Sequence, residues 1–341
     1  MPLYGPFLIE KMNIAILGAG AWGTALAVNL SSRHCVSLWA RDAEQIKAMQ
    51  ANRCNHRYLP EIALPQELRL TADLNAACNG ADIILVTVPI SALRTTLHKI
   101  ATALAAPVPV IWACKGFEAA TANLPHQVVA ETLPKNFPCA VLSGPSFAQE
   151  VARGLPTALT LASRDGEFAK KAAQALHHSR LRIYSSTDVI GVEVGGAVKN
   201  VLAIAAGIAD GLGFGYNAQA ALITRGLAEM TRLGLKMGGR AETLAGLSGA
   251  GDLILTCTGH LSRNRKVGVL LAQHYALPDI LRQLGHVAEG VYTVREVYQL
   301  AQRLEVDMPI CAAVYRVLYE QVAAESAVEV LLNRSANSEF N

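Results

Sequence analysis

At 341 residues the chain is too long for one ordinary domain and suits two, each with its own core. It is 52% hydrophobic but only 6% aromatic, so its interior is built from Ala, Val, Leu and Ile, a composition for packed helices and buried parallel strands. A formal charge of +3 with no long basic run excludes a nucleic-acid stripe or a lipid-binding face and leaves small anions as charged partners.

Seven scattered cysteines without CxxC spacing fit a reducing cytosol, with no disulfide framework and no metal site. No apolar stretch reaches the ~20 residues of a membrane span. The first eleven residues lack the order of a signal peptide and read as an N-terminal extension. The expectation is a soluble, cytoplasmic protein without membrane insertion or nucleic acid.

Residues 13–17 (NIAIL) read as a short buried strand that feeds Gly18-Ala19-Gly20-Ala21-Trp22-Gly23 and then a helix over 24–30. A strand running into a glycine turn that opens a helix is the context in which GxGxxG means dinucleotide binding. The first glycine allows the tight turn, the second admits a pyrophosphate to the backbone, and the third lets helix and strand pack closely. The second strand, 35–40, ends at Arg41-Asp42, where the ribose partner is expected. Arg41 suits the 2′-phosphate of NADP and Asp42 the ribose of NAD; Asp42 also suits a helix cap, so the pair leaves NAD or NADP open with a slight lean to NADP.

Helix 43–51, a strand near 68–71 and helix 73–79 follow. Residues 82–88 (DIILVTV) are apolar on both faces, as in a central parallel strand. Helix 91–104 then leads to strand 109–113, which ends at Lys115. Strand 139–142 runs into Ser143-Gly144-Pro145-Ser146, a turn able either to cap helix 149–153 or to offer polar groups to a ligand. Elements at 157–162, 167–177 and 181–184 complete an alternating pattern.

Beyond residue 188 no strand is apparent, and helices are expected over 189–210, 216–235, 240–248, 263–273, 277–284, 291–304 and 310–331. The fold class is therefore α/β, a Rossmann-type doubly wound parallel sheet over 12–188, followed by an all-α domain over 189–332 and a disordered tail from 333. The Ala-rich all-α domain also offers a homodimer surface.

The first helix of that second domain carries one lysine, Lys199, on an otherwise apolar, glycine-rich surface. Its side chain leans back over Gly195 and Gly196, and two adjacent glycines inside a helix suggest that something approaches closely; a small substrate is the expectation. Burial would lower the lysine pKa toward the range useful for proton transfer, while a carboxylate such as Asp252 would oppose that shift. A lysine stem snorkelling to water is the plainer alternative. A helix starting near Ser262, with Arg263, Asn264 and Arg265, presents free N–H groups and cations suited to a phosphate monoester, or merely a solvated cap.

Taken together, GAGAWGTALA (18–27), Lys115-Gly116, SGPSFAQEVARGLPTA (143–158), GVEVGGAVKNVLAIAAGIADGLGFGYNAQAALITRGLAEM (191–230), SGAGDLILTCTGHLSRNRKVG (248–268) and VAEGVYTV (287–294) closely resemble the bacterial NAD(P)-dependent glycerol-3-phosphate dehydrogenase family. The resemblance is collinear over about residues 12–330. It implies reversible conversion of dihydroxyacetone phosphate to sn-glycerol 3-phosphate for glycerophospholipid biosynthesis. It also implies Lys199 as the catalytic proton acceptor in alcohol oxidation, and substrate contacts at Lys115, Gly144, Ser146, Lys199, Asp252, Ser262, Arg263 and Asn264. Cofactor contacts fall at Gly18, Gly20, Ala21, Trp22, Gly23, Arg41, Lys115, Ala148, Arg263, Val287 and Glu289. Ala21, Trp22 and Ser146 depart mildly from the commonest family residues, and the extension before Met12 has no counterpart. The alternatives are another two-domain dehydrogenase of the β-hydroxyacid type and a non-catalytic dinucleotide sensor.

Overall fold

The structure is a computed structural model that describes residues 11–285 and 288–333. The expected extension, apart from Lys11, and the tail from 334 lie outside the described residues. The chain forms two compact units. One runs to Cys114 and continues over His126–Val189; the other comprises Lys115–Pro125 and the chain from Ile190 onward. The segment carrying Lys115 thus groups with the helical unit, although the sequence pattern assigns it to the α/β part.

In the first unit, β1 (Asn13–Leu17), α1 (Ala21–Ser31), β2 (Cys35–Trp39), α2 (Ala43–Asn52), a small hairpin of β3 (Cys54–Asn55) and β4 (Leu59–Ala63), and β5 (Arg69–Thr71) come first. They are followed by α3 (Leu74–Cys78), β6 (Ile83–Val86), α4 (Ile90–Ala103), β7 (Val110–Trp112), α5 (Pro125–Thr132), β8 (Cys139–Ser143), α6 (Ala148–Ala152), β9 (Thr157–Ala162), α7 (Gly166–Leu176) and β10 (Leu181–Ser186). Eight strands form one sheet in the order β10-β9-β8-β7-β6-β1-β2-β5. Strand β1 pairs in parallel with both β2 and β6, so the chain order reverses there and the carboxyl ends of these strands open a ligand crevice. The sheet is parallel except between β8 and β9, which pair antiparallel (Leu142 opposite Leu161).

The core strands β1 and β6 are apolar on both faces because helices cover both sides of the sheet; Ile14, Ile16, Ile84 and Leu85 are essentially inaccessible to water. Each such side chain contributes about 1.5–3 kcal/mol relative to an exposed position. The β3–β4 hairpin was not evident in the sequence, yet it supports the glycine turn, since Asn55 Nδ2 donates to the Ala19 carbonyl at 3.0 Å and to Thr24 Oγ1 at 2.8 Å.

The second unit holds α8 (Val189–Gly211), α9 (Gly215–Lys236), α10 (Ala241–Leu244), a π-helical turn over Leu247–Gly251, α11 (Asp252–Thr258), α12 (Arg263–Ala272), α13 (Leu277–Leu284), α14 (Glu289–Arg303), α15 (Pro309–Tyr319) and α16 (Ala324–Leu332). Helix α8 is long and apolar enough to cross a membrane by length and composition, but 94% of its most apolar 18-residue window is buried inside the protein. It is the core helix of the unit, with Val194, Val198, Val201, Leu202 and Ile204 all at 0% exposure. That explains its all-round apolar surface.

Two expectations for this unit change. The helix expected over 240–248 ends at Leu244 and passes into the π-helical turn, and the helix expected over 310–331 is two helices. Their break follows Tyr319, where Gln321 takes a left-handed conformation (φ 57°) and Val322 N–H reaches back to the Arg316 carbonyl. No proline or glycine marks that turn in the sequence.

Candidate active site

In the helical unit, α8 carries Lys199 and α11 begins with Asp252, which emerges directly from the π-helical turn. Turns of this kind inside helices recur at functional sites because they re-aim a side chain. Lys199 Nζ donates to Asp252 Oδ1 at 2.6 Å and to Thr256 Oγ1 at 2.9 Å. Lys115 Nζ donates to the other carboxylate oxygen, Oδ2, at 2.6 Å. Thr256 in turn donates to the Asp252 carbonyl at 2.6 Å. Two ammonium groups therefore clamp one carboxylate, and a hydroxyl fixes the direction of one of them.

All three partners of the Lys199 network are buried, with Lys199 at 8%, Asp252 at 1% and Thr256 at 5% exposure. Burial lowers the Lys199 pKa to about 8; Asp252 pulls it upward and Lys115 pushes it further down. For Asp252, burial works to raise the pKa, but Lys115 and Lys199 outweigh it and hold the carboxyl below its ordinary value. Glu289, the first residue of α14, is pushed up by burial while Arg263, Lys115 and Lys199 act to lower it. These five groups thus share one electrostatic neighbourhood. Lys199 lies close to a carboxylate, as the sequence reading allowed, and not with a stem snorkelling to water.

Gly195, the first of the paired glycines, has a different explanation from the one its sequence suggests. A Cβ on Gly195 would lie 2.4 Å from the Ser248 carbonyl oxygen and 3.1 Å from Gly249 Cα, so the gap at Gly195 is filled by the π-helical turn and not left for a substrate. The glycine lets that turn, and with it Asp252, come within reach of Lys199.

The α12 start lies in the same unit. Ser262 is its N-cap, with Oγ accepting from Arg265 N–H at 3.2 Å, and Arg263 is exposed. The first-turn N–H groups and Arg263 offer an anion site. Asn264 is buried and its amide serves the protein itself, donating to Asn200 Oδ1 at 3.0 Å and accepting from Gly290 N–H at 3.0 Å. Arg265, expected beside Arg263, is instead bonded to Asp210. Val287 lies outside the described residues. Thr256 was missed in the sequence, although its i+4 spacing from Asp252 places both on one helix face.

In the α/β unit, Gly18 adopts φ +124° at the end of β1, a conformation that L side chains rarely adopt, and a Cβ on Gly23 would lie 1.9 Å from the Gly18 carbonyl oxygen. A Cβ on Gly20 would meet nothing within 4 Å, so the space before the α1 N-terminus is open. Gly20 caps α1 with no side-chain hydrogen bond, leaving the first-turn N–H groups for a ligand. These residues fit a dinucleotide pyrophosphate. Ala21, Trp22 and Ala148 meet in one apolar cluster where α1 packs on α6. Arg41 is exposed at the end of β2, whereas Asp42 caps α2, accepting from the N–H groups of Glu44 (3.0 Å) and Gln45 (3.2 Å). At the end of β8, Gly144 takes φ +137° and Ser146 Oγ donates back to its carbonyl at 3.0 Å.

Comparisons with known proteins agree with this architecture. The sequence profile described as NAD-dependent glycerol-3-phosphate dehydrogenase N-terminus matches residues 13–169, and its C-terminal counterpart matches 188–329. The chain is 58% identical over 328 residues to the glycerol-3-phosphate dehydrogenase [NAD(P)+] of Nitrosomonas eutropha, covering 96% of this chain and 99% of that one. It is 59% identical over 333 residues to the enzyme of the same name from Nitrosospira multiformis, covering 96% and 100%. The crystal structure of glycerol-3-phosphate dehydrogenase from Coxiella burnetii superposes with a TM-score of 0.91 at 45% identity, over 95% of this chain and 99% of that one. A buried lysine–aspartate–lysine cluster in a helical unit, a glycine turn built for a dinucleotide and identities above one half along nearly the whole length lead to one conclusion: the chain belongs to the NAD-dependent glycerol-3-phosphate dehydrogenase family.

Proposed function

We propose that this chain interconverts dihydroxyacetone phosphate and sn-glycerol 3-phosphate with NAD or NADP, and that Lys199 is the group that exchanges the alcohol proton. The observation that carries this reading is the buried Lys199–Asp252 pair, whose lysine has a pKa of about 8 and so can both give and take a proton near neutrality. When bound, the reduced nicotinamide supplies the hydride that turns the C2 ketone into an alcohol. Lys199 Nζ gives its proton to the C2 oxygen in that direction and, as the neutral amine, takes it back in the other.

The network around Nζ sets its aim. An ammonium has three donors, and two are held by Asp252 and Thr256, which leaves one for the substrate oxygen. Asp252 keeps Lys199 protonated often enough to act as an acid, while Lys115 prevents the pair from becoming too stable to release a proton. Ser262, Arg263 and the Asn264 backbone receive the phosphate at the α12 start, with Gly144 and Ser146 as further substrate contacts. The pyrophosphate of the cofactor lies on the Gly18–Gly23 turn, and Arg41 meets the 2′-phosphate of NADP.

Oxidation of NADPH by dihydroxyacetone phosphate, followed at 340 nm beside a panel of 2-ketoacids, and reduction of NADP+ by a panel of 3-hydroxyacids test the reaction. No turnover of the phosphate ester together with turnover of a hydroxyacid would replace this reading with a β-hydroxyacid dehydrogenase. No turnover of any would favour a dinucleotide sensor. The same assay with Arg41→Ala is expected to raise the KM for NADPH several-fold and leave that for NADH unchanged. We assign the enzyme to the cytoplasm and to a homodimer; sedimentation of the purified chain checks the second assignment.

A further inference from the structure

The helix offered to the phosphate, α12, is seated on the lysine helix α8 along a seam of small residues. A Cβ on Gly207 would lie 1.9 Å from the Arg265 carbonyl oxygen, and a Cβ on Gly268 would lie 2.0 Å from that of Ile204. Backbone therefore touches backbone at both positions. Farther along, a Cβ on Gly211 would come 2.6 Å from Ala272 Cβ. Such a seam brings the two backbones close together, and polar side chains beside it add bonds between the helices.

One ion pair joins the two helices near the α12 start. Arg265 Nε, in the first turn of α12, donates to Asp210 Oδ2 at 2.6 Å, and both side chains are only 20% exposed. The other carboxylate oxygen, Oδ1, accepts from Gln219 Nε2 of α9 at 3.1 Å, so Asp210 is itself held in place. The pair and the Lys199–Asp252 network act on one buried group. The buried Cys257 thiol of α11, pushed up to about 12 by burial, feels the charges of Lys199, Asp210, Asp252 and Arg265 together.

We infer that Asp210 is a positioning residue that sets where the α12 N-terminus presents its phosphate site relative to Lys199, and that it acts through Arg265. The inference rests on the assignment of the substrate phosphate to the α12 start. Asp210 touches neither the substrate nor the cofactor; its effect is on the register of one helix against another. A register error of about an ångström moves the phosphate anchor away from the proton donor, which costs binding of the phosphorylated ketone but not of a ketone that never used the anchor.

Steady-state kinetics with dihydroxyacetone phosphate, and with unphosphorylated dihydroxyacetone at high concentration, test this. Asp210→Asn is expected to raise the KM for the phosphate ester about tenfold with kcat within about twofold, and to leave the NADPH KM and the kcat/KM for dihydroxyacetone unchanged. Arg265→Gln should match it, and the double variant should be no worse than either single one, as for two residues acting as a unit. An unchanged KM, an equal loss on both ketones, or additive losses would overturn the inference. If Asp210→Asn does not fold, Arg265→Lys decides, since it keeps the charge but shifts the donor: a raised KM for the phosphate ester alone supports the inference and an unchanged one overturns it. Arg263→Ala separates the underlying assignment. If it leaves the KM for the phosphate ester unchanged, the phosphate is not at the α12 start; if it raises that KM while Asp210→Asn does not, only the role of Asp210 falls.

Discussion

Two carboxylates of the helical unit, Asp252 and Glu229, are each only 1% exposed, yet their pKa values are shifted in opposite directions. Asp252 is held below its ordinary pKa because two ammonium groups bond its two oxygens. Glu229, on α9, is held by neutral donors: its oxygens accept from the N–H groups of Ile310 (2.7 Å) and Cys311 (3.1 Å) in the first turn of α15, and from the Cys311 thiol. Burial raises its pKa to about 7 despite those bonds and the Arg232 charge. Full opposite charges offset the desolvation of a carboxylate, whereas the partial charges at a helix N-terminus do not. One buried acid thereby becomes an electrostatic clamp for a reaction, and the other a helix cap that titrates near neutrality.

The largest effect comes from removing one arm of the clamp. Lys199→Met takes away the proposed proton donor and leaves Asp252 with Lys115. The kcat for ketone reduction is expected to fall about a thousandfold with the KM for NADPH unchanged. Near-normal turnover with an unaltered pH dependence would show that the clamp is structural, like the Glu229 cap.

Removing the carboxylate instead sharpens the comparison. Reduction needs Lys199 protonated, so kcat/KM for reduction should fall as pH rises through about 8, and that for oxidation should fall as pH drops through it. Asp252 raises this pKa while burial and Lys115 lower it. In Asp252→Asn the main raising influence is gone and only the weaker Glu289 charge opposes burial and Lys115, so the midpoint should move to lower pH in both directions of the assay. A midpoint that stayed near 8 would mean that Asp252 does not govern the charge on Lys199.

How much of this was legible in the chain depends on sequence distance. The glycine turn at 18–23 could be read because strand, turn and helix are contiguous and each glycine has a local reason. Lys199 stood out because a charge on a helix apolar all round has few bland explanations. The residues themselves offered Asp252 beside Lys199 only as a possibility and gave no geometry for the clamp, because its members are separated by 53 and 137 positions and nothing local brings them together. The π-helical turn was also hidden, since its glycines suit a loop equally well, and so was its packing on Gly195. Asn264 and Arg265 looked like ligand residues by type, but their partners Asn200, Gly290 and Asp210 appear only once α8, α12 and α14 are packed. Glu229 gave no signal at all, because a glutamate inside a helix is usually on its solvated face.

The smallest expected effect, and the cleanest contrast with Asp252, is the pH dependence of stability at Glu229. Its folded pKa of about 7 lies above the ordinary 4.5, so the folded state binds a proton more tightly than the unfolded state. The stabilisation is fully present below pH 4.5 and is lost as pH rises through about 7. A shift of that size corresponds to about 3 kcal/mol across the window. Glu229→Gln cannot ionise, so its stability should not carry this slope. It also replaces one acceptor of the α15 cap with a donor, at a cost of about 1 kcal/mol. Urea unfolding followed by circular dichroism should therefore find the variant less stable than the wild type at pH 5, and the gap should close or reverse at pH 8. A gap that stays constant between the two pH values would mean that Glu229 is ionised throughout, and that neutral donors can hold a buried carboxylate as firmly as two lysines hold Asp252.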